Sequence, residues 1–170
     1  DRRTGKPLWQ RTVLKTPLEA IHRLNSRASS TPVTDGKFVY VTFMKVSDQK
    51  IPAPNVGSQR LISPGTIMVA AYDMAGEKQW AREVGEFISA HGFNACPVLH
   101  RDLLIINGDH DGNAYLTALD RATGKLRWKV DRENKTRSYV TPLIRTIGGR
   151  QQMILSGSKS VARRTEERRG

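Results

Sequence analysis

One short element recurs three times in this chain, and it limits the possible folds more than any other feature. It reads Asp1-Arg-Arg-Thr-Gly-Lys-Pro-Leu-Trp9, Asp73-Met-Ala-Gly-Glu-Lys-Gln-Trp80 and Asp120-Arg-Ala-Thr-Gly-Lys-Leu-Arg-Trp128. A second set keeps step with it: Ser30-Thr31-Pro32-Val33, Ala95-Cys96-Pro97-Val98 and Val140-Thr141-Pro142-Leu143. Self-similarity of this kind means stacked units, each burying an apolar face against its neighbour. The element also has a local mechanism. Gly5, Gly76 and Gly124 supply the positive φ that a tight connection needs. Asp1, Asp73 and Asp120 can accept hydrogen bonds from turn amides. Trp9, Trp80 and Trp128 then open the next strand, each with a flat ring able to wedge between units.

The segments between the motifs read as strands. Phe38–Phe43, Ile67–Tyr72, Leu103–Ile106 and Tyr115–Leu119 are short, rich in β-branched or aromatic residues, and bounded by turn residues. No segment sustains a 3.6-residue period with caps, although Leu18–Leu24 could form one helical turn. The tryptophans stand 71 and then 48 residues apart. The shorter spacing is that of a four-stranded propeller blade. The longer one carries an insertion, Met44–Gly65, whose Pro52, Pro54, Pro64 and Gly57 read as a loop.

The combination Ala118-Leu-Asp-x-x-Thr-Gly-Lys-x-x-Trp128 resembles the tryptophan-docking motif of the pyrroloquinoline-quinone-like β-propellers. That family includes the quinoprotein alcohol dehydrogenases and the propeller lipoprotein of outer-membrane protein assembly. The resemblance spans residues 1 to about 162. It implies that Trp9, Trp80 and Trp128 stack on the motif of a neighbouring blade, and it implies a periplasmic or exported protein. The expected fold is all-β, a partial β-propeller of four-stranded antiparallel blades with about three present.

Meander order then assigns the strands, from inner to outer. Residues 1–13 end a preceding blade, with 6–13 as its lone outer strand. Complete blades span 27–84 (27–34, 37–43, 66–73, 77–84) and 93–131 (93–99, 102–107, 113–120, 125–131). Another starts within 138–162 (138–146, 150–156). Residues 163–170 are expected to be a disordered basic tail, since no further docking motif follows Ala162. A chain that begins inside a motif is expected to be a segment of a longer protein. Propellers protect their edges by closing, so this segment is expected to self-associate through open blade edges.

Up-and-down connectivity puts the long segments, 13–27, 44–65, 85–92, 107–113 and 131–137, on one face. Loops on a rigid scaffold carry function. His22, His91, Asp109, His110, Asp111, Arg137 and Lys159 are therefore the binding candidates, on the face formed by the connections from outer to inner strand and from second to third strand. Asn107-Gly-Asp-His-Asp-Gly-Asn113 resembles part of a calcium loop but lacks its closing glutamate, and a tight Asn/Asp/Gly hairpin explains it equally well. The histidines lack zinc-ligand spacing. Cys96, the single cysteine, reads as a buried thiol on an inner strand. Ser29 and Ser30 have no matched partner, and Thr-Gly-Lys here lacks the spacing of a phosphate loop. No catalytic and no metal set is assigned.

Composition removes some classes. No apolar run approaches the length of a membrane-spanning helix. The net charge of +12 raises nucleic acid as a partner. The basic residues, however, are scattered through Arg2, Lys15, Arg23, Lys37, Lys78, Arg101, Lys125 and Lys135 rather than gathered in a stripe, so a basic solvated surface is the better reading. Two functions stay open. One is a noncatalytic scaffold that binds a protein or peptide on the loop face. The other is part of a quinone-dependent dehydrogenase acting on alcohols or sugars. The resemblance implies a vicinal cysteine pair and calcium carboxylates for the latter. This sequence matches neither, so quinone and calcium would need ligands from further blades.

Overall fold

A computed structural model describes residues 1–27, 29–57, 59–133, 135–157 and 161–165. Lys159 and residues 166–170 lie outside them. Among the described residues there is no helix, hence none long and apolar enough to cross a membrane. Three antiparallel sheets follow one another along the chain. The first joins β1 (Val33–Thr34), β2 (Phe38–Val46), β5 (Gly65–Asp73) and β6 (Lys78–Phe87). The second joins β7 (Val98–His100), β8 (Leu103–Gly108), β9 (Tyr115–Asp120) and β10 (Leu126–Asp131). The third joins β11 (Leu143–Ile147), β12 (Arg150–Ser156) and β13 (Val161–Thr165). A small hairpin, β3 (Ile51–Pro52) with β4 (Leu61–Ile62), grows from the insertion.

Residue alternation explains how the sheets stack. In β2, Phe38, Tyr40, Thr42, Met44 and Val46 are buried, while the intervening positions are more exposed. That face meets the second sheet in a core of Tyr40, Val69, Trp80, Phe87, Phe93, Leu104, Ile106 and Tyr115. The opposite face of the second sheet, Ile105, Leu116 and Ala118, packs on Met153 and Leu155 of the third. The middle sheet is thus covered on both sides, and so β8 and β9 are continuously buried rather than alternating. Blades of a partial propeller, stacked face to face, describe this arrangement.

Several elements differ from the sequence expectation. The inner strands are only two to three residues long in the first two blades. Pro32 and Pro97 cannot donate to a ladder, and the residues before them bond across blades instead. Thr42 Oγ1 donates to Ala95 O at 2.6 Å, and Ala95 N donates to Ser30 Oγ at 3.1 Å. Cys96 lies outside any strand and is half-buried, its Sγ accepting from Thr31 N at 3.2 Å. Residues 6–13 form no strand, because no described strand runs beside them. Leu18–Leu24 contains a turn rather than a helix, with Asn25 N bonding His22 O. Leu18 and Leu24 are 75% and 76% exposed there, so no apolar face exists to hold a helix. At the other end, Arg163 to Thr165, assigned above to the tail, belong to β13. They pair with β12, whose edge offers unpaired backbone groups.

Candidate functional site

Two joints link successive blades, and both use the repeated motif. In the turn after β5, Asp73 Oδ1 accepts from Ala75 N and Glu77 N, each at 2.9 Å. In the turn after β9, Asp120 Oδ1 accepts from Ala122 N, Thr123 N and Thr123 Oγ1 at 2.9 to 3.1 Å. These bonds, that of the Thr123 hydroxyl first, hold the Asp120 carboxyl below its usual range. Gly76 and Gly124 take φ of +83° and +69°. Each lies under a tryptophan ring from the preceding unit. Trp9 covers Gly76 and donates Nε1–H to Met74 O at 3.0 Å, and Trp80 covers Gly124 and donates to Arg121 O at 3.1 Å. Gly5 has the same turn with no ring upon it, and the Trp128 ring instead meets the Arg164 guanidinium at 4.5 Å.

Sequence reading misses one part of these joints. A β-bulge precedes both Trp80 and Trp128. The extra residue turns back to the motif aspartate: Gln79 Nε2 donates to Asp73 Oδ2 at 2.9 Å, and Arg127 Nη1 to Asp120 Oδ2 at 3.1 Å. Glutamine and arginine share little except length and donor groups, so the equivalence is invisible in one sequence.

The loop face gathers a second set of residues into one network. Its centre is the segment 107–113. Asp109, fully buried, receives Arg132 Nε at 2.9 Å and Nη2 at 3.3 Å. Burial pushes the Asp109 carboxyl up, and Arg132 opposes that. Asp111 receives Arg137 Nη1 at 2.8 Å on one oxygen, and Asn55 Nδ2 and Arg137 N on the other. His110 is buried against Phe87 and Tyr115, and Gly112 leaves room for its ring. Its Nδ1 accepts from Ile88 N at 3.2 Å. Burial lowers its pKa, and its Nε2 is buried without a partner.

Other loops join this centre. Tyr139 OH and Ser89 Oγ are 2.7 Å apart, and Ser89 Oγ accepts from His91 N. Asn25 reaches His91 O, and the His22 and His91 rings are 6.0 Å apart. Arg60 Nη2 donates to Ala90 O at 2.7 Å, and Ala20 N to Ser63 Oγ. His22, His91, Asp109, His110, Asp111 and Arg137 therefore share one network. Asn55, Arg60, Ser89 and Arg132, which carry no sequence signal beyond lying in long loops, belong to it as well, as does Tyr139, read above as part of a strand.

This chemistry does not resemble a calcium loop. The oxygens of Asp109 and Asp111 are engaged by arginines and an asparagine rather than converging on one point. Among the described residues, no three His, Cys, Asp or Glu side chains gather as a metal site. Among the described residues, these side chains do not form a site for a calcium ion beside a quinone.

The Asp109–Arg132 pair has a measurable role. The Arg132 side chain is only 10% exposed. Asp109→Ala leaves it uncompensated, a change that costs about 3–5 kcal/mol when one partner of a buried pair is removed. Asp109→Asn keeps an acceptor and should lose less. Urea unfolding of both variants checks this, and equal midpoints for Asp109→Ala and the parent would contradict it.

A family model described as outer membrane protein assembly factor BamB, built on PQQ-like repeats, matches residues 1–130 and again 65–158. The two matches overlap, as they should when the chain itself repeats. No curated protein matches the chain.

Proposed function

Because the chain belongs to the PQQ-like β-propeller repeat family of the BamB type, we propose that it is a noncatalytic scaffold whose loop face binds a protein or peptide. One observation carries this reading. Loops of successive blades are bonded to one another across that face, from Asn25 through His91 and Ser89 to Tyr139, and from Asn55 to Asp111. The ionic groups at the centre answer each other and hold the loops in place. A surface prepared in this way loses little entropy when a partner docks. The family description names outer-membrane protein assembly, and we take the partner and a periplasmic location from that process.

Site-specific photo-crosslinking in cells tests the reading. A crosslinker at His22 or Tyr139, on the loop face, should give a discrete adduct. One at Lys37 or Ala122, in the turns of the opposite face, should give none. Adducts of equal yield from both faces, or from the turn face only, would remove the loop face as the binding surface. Calcium-dependent dye reduction by the protein with added quinone would instead support a dehydrogenase.

A further inference from the structure

Two arginines at the centre of the loop face are answered by carboxylates. Arg132 has Asp109, and Arg137 has Asp111. Arg60 has no carboxylate partner among the described residues. Its Nη2 is fixed on Ala90 O, while its Nε is buried and bonded to nothing. A guanidinium taken partly out of water without a counter-ion is unfavourable. The residue after Ala90 is His91, whose half-buried ring sits beside that of His22. Asp111 is the acidic group that acts on His91, and its oxygens are already engaged by Arg137 and Asn55. The positive fields of Arg137, Arg60 and His22 all reach His91 and help hold its pKa down, after burial. Ser89 Oγ, which accepts from His91 N, also bonds the Tyr139 hydroxyl at 2.7 Å.

We propose that Arg60, His22 and His91 form a receptor for a single carboxylate of a partner polypeptide, on the loop face. This rests on the scaffold reading above and names the chemistry of its partner. A guanidinium recognises a planar carboxylate by parallel N–H bonds, and a neutral imidazole can add an N–H donor beside it. Arg60 is held in position by the backbone it already bonds, so little side-chain freedom is lost on binding.

Three fluorescein-labelled short peptides decide the matter by anisotropy at low salt with the full 170-residue chain. The first carries glutamates and an amidated end, the second is its glutamine counterpart, and the third is that counterpart with a free C-terminal carboxylate. The glutamate peptide or the free-ended peptide should bind at least about tenfold more tightly than the fully neutral one. Whichever does so identifies the source of the carboxylate. Arg60→Gln should abolish that preference and leave the neutral peptide unaffected, at an unchanged melting temperature. A preference that survives Arg60→Gln overturns the proposal. Where Arg60→Gln does not fold, His22→Gln and Arg60→Lys take its place, and an undiminished preference in both overturns it equally. Peptides that all bind alike remove the carboxylate receptor and leave the scaffold reading standing. Absence of binding by all three removes the receptor, while crosslinks from His22 or Tyr139 continue to judge the scaffold separately.

Discussion

Glu19→Gln should make the protein more stable at pH 8 and nearly indifferent at pH 4. Glu19 is 3% exposed, lies in the segment that packs beside Gly92, and leaves its Oε1 without a partner. Burial pushes its carboxyl up from 4.5 to about 7, against the smaller opposing effects of the Phe93 amide and Arg27. Below pH 4.5 the group is protonated in both folded and unfolded chains and contributes no pH dependence. Between 4.5 and about 7 the folded chain holds a proton that the unfolded chain has released, so stability falls as pH rises. Above about 7 both are ionised and the loss is complete. Its size is on the order of 3 kcal/mol. Glutamine keeps the shape and never ionises, so it removes the loss. Urea midpoints for parent and variant, measured from pH 4 to 8, should diverge as pH rises. Parallel curves would show that Glu19 titrates in the folded chain as it does in water.

Gly124→Ala should be strongly destabilising. At φ of +69° an alanine already incurs roughly 1 kcal/mol of backbone strain. A Cβ there would also stand 2.6 Å from Trp80 Cε3 and 2.7 Å from Cδ2. The ring must retreat, lose its bond to Arg121 O and open the core it closes, for a total of about 3 kcal/mol or more. Gly5→Ala provides the control. Its φ is also +69°, in the same motif, and nothing lies within 4 Å of the new methyl. That variant should lose only about 1 kcal/mol. The difference between the two isolates the contact of ring on glycine. Trp80 emission should shift to the red in Gly124→Ala only. Equal losses in both variants would mean that the turn alone, and not the ring, sets the requirement for glycine.

The fold is legible because its signals are local and repeated. Asp, Gly and Trp each do something specific within a few residues, and three copies in phase leave one architecture. The inner strands are less legible, since Pro32 and Pro97 suit an extended chain yet cannot say whether it pairs within its blade or with the next. Loop length suffices to name the face where His91, Asp111 and Arg137 meet. It does not reveal Glu19, which sits between exposed leucines and is buried only by loops far away in sequence. Arg60 is hidden for the same reason. Its insertion reads as a featureless loop, and the small hairpin that holds it depends on backbone pairing that no side chain announces.

The joints between blades all point the same way along the chain. Trp9 reaches the turn at Gly76, and Trp80 the turn at Gly124. The first blade therefore carries both a plug, Trp80, and a socket at Gly76 for the plug before it. Such a joint is indifferent to which blade follows, so whole units can be gained, lost or exchanged with the coupling intact. The loop bonds obey no such rule, because Asn55 and Asp111 or Ser89 and Tyr139 fit only their own neighbours. Copy number and recognition can in this way change independently, the first by duplicating a coupling and the second by rewriting one face.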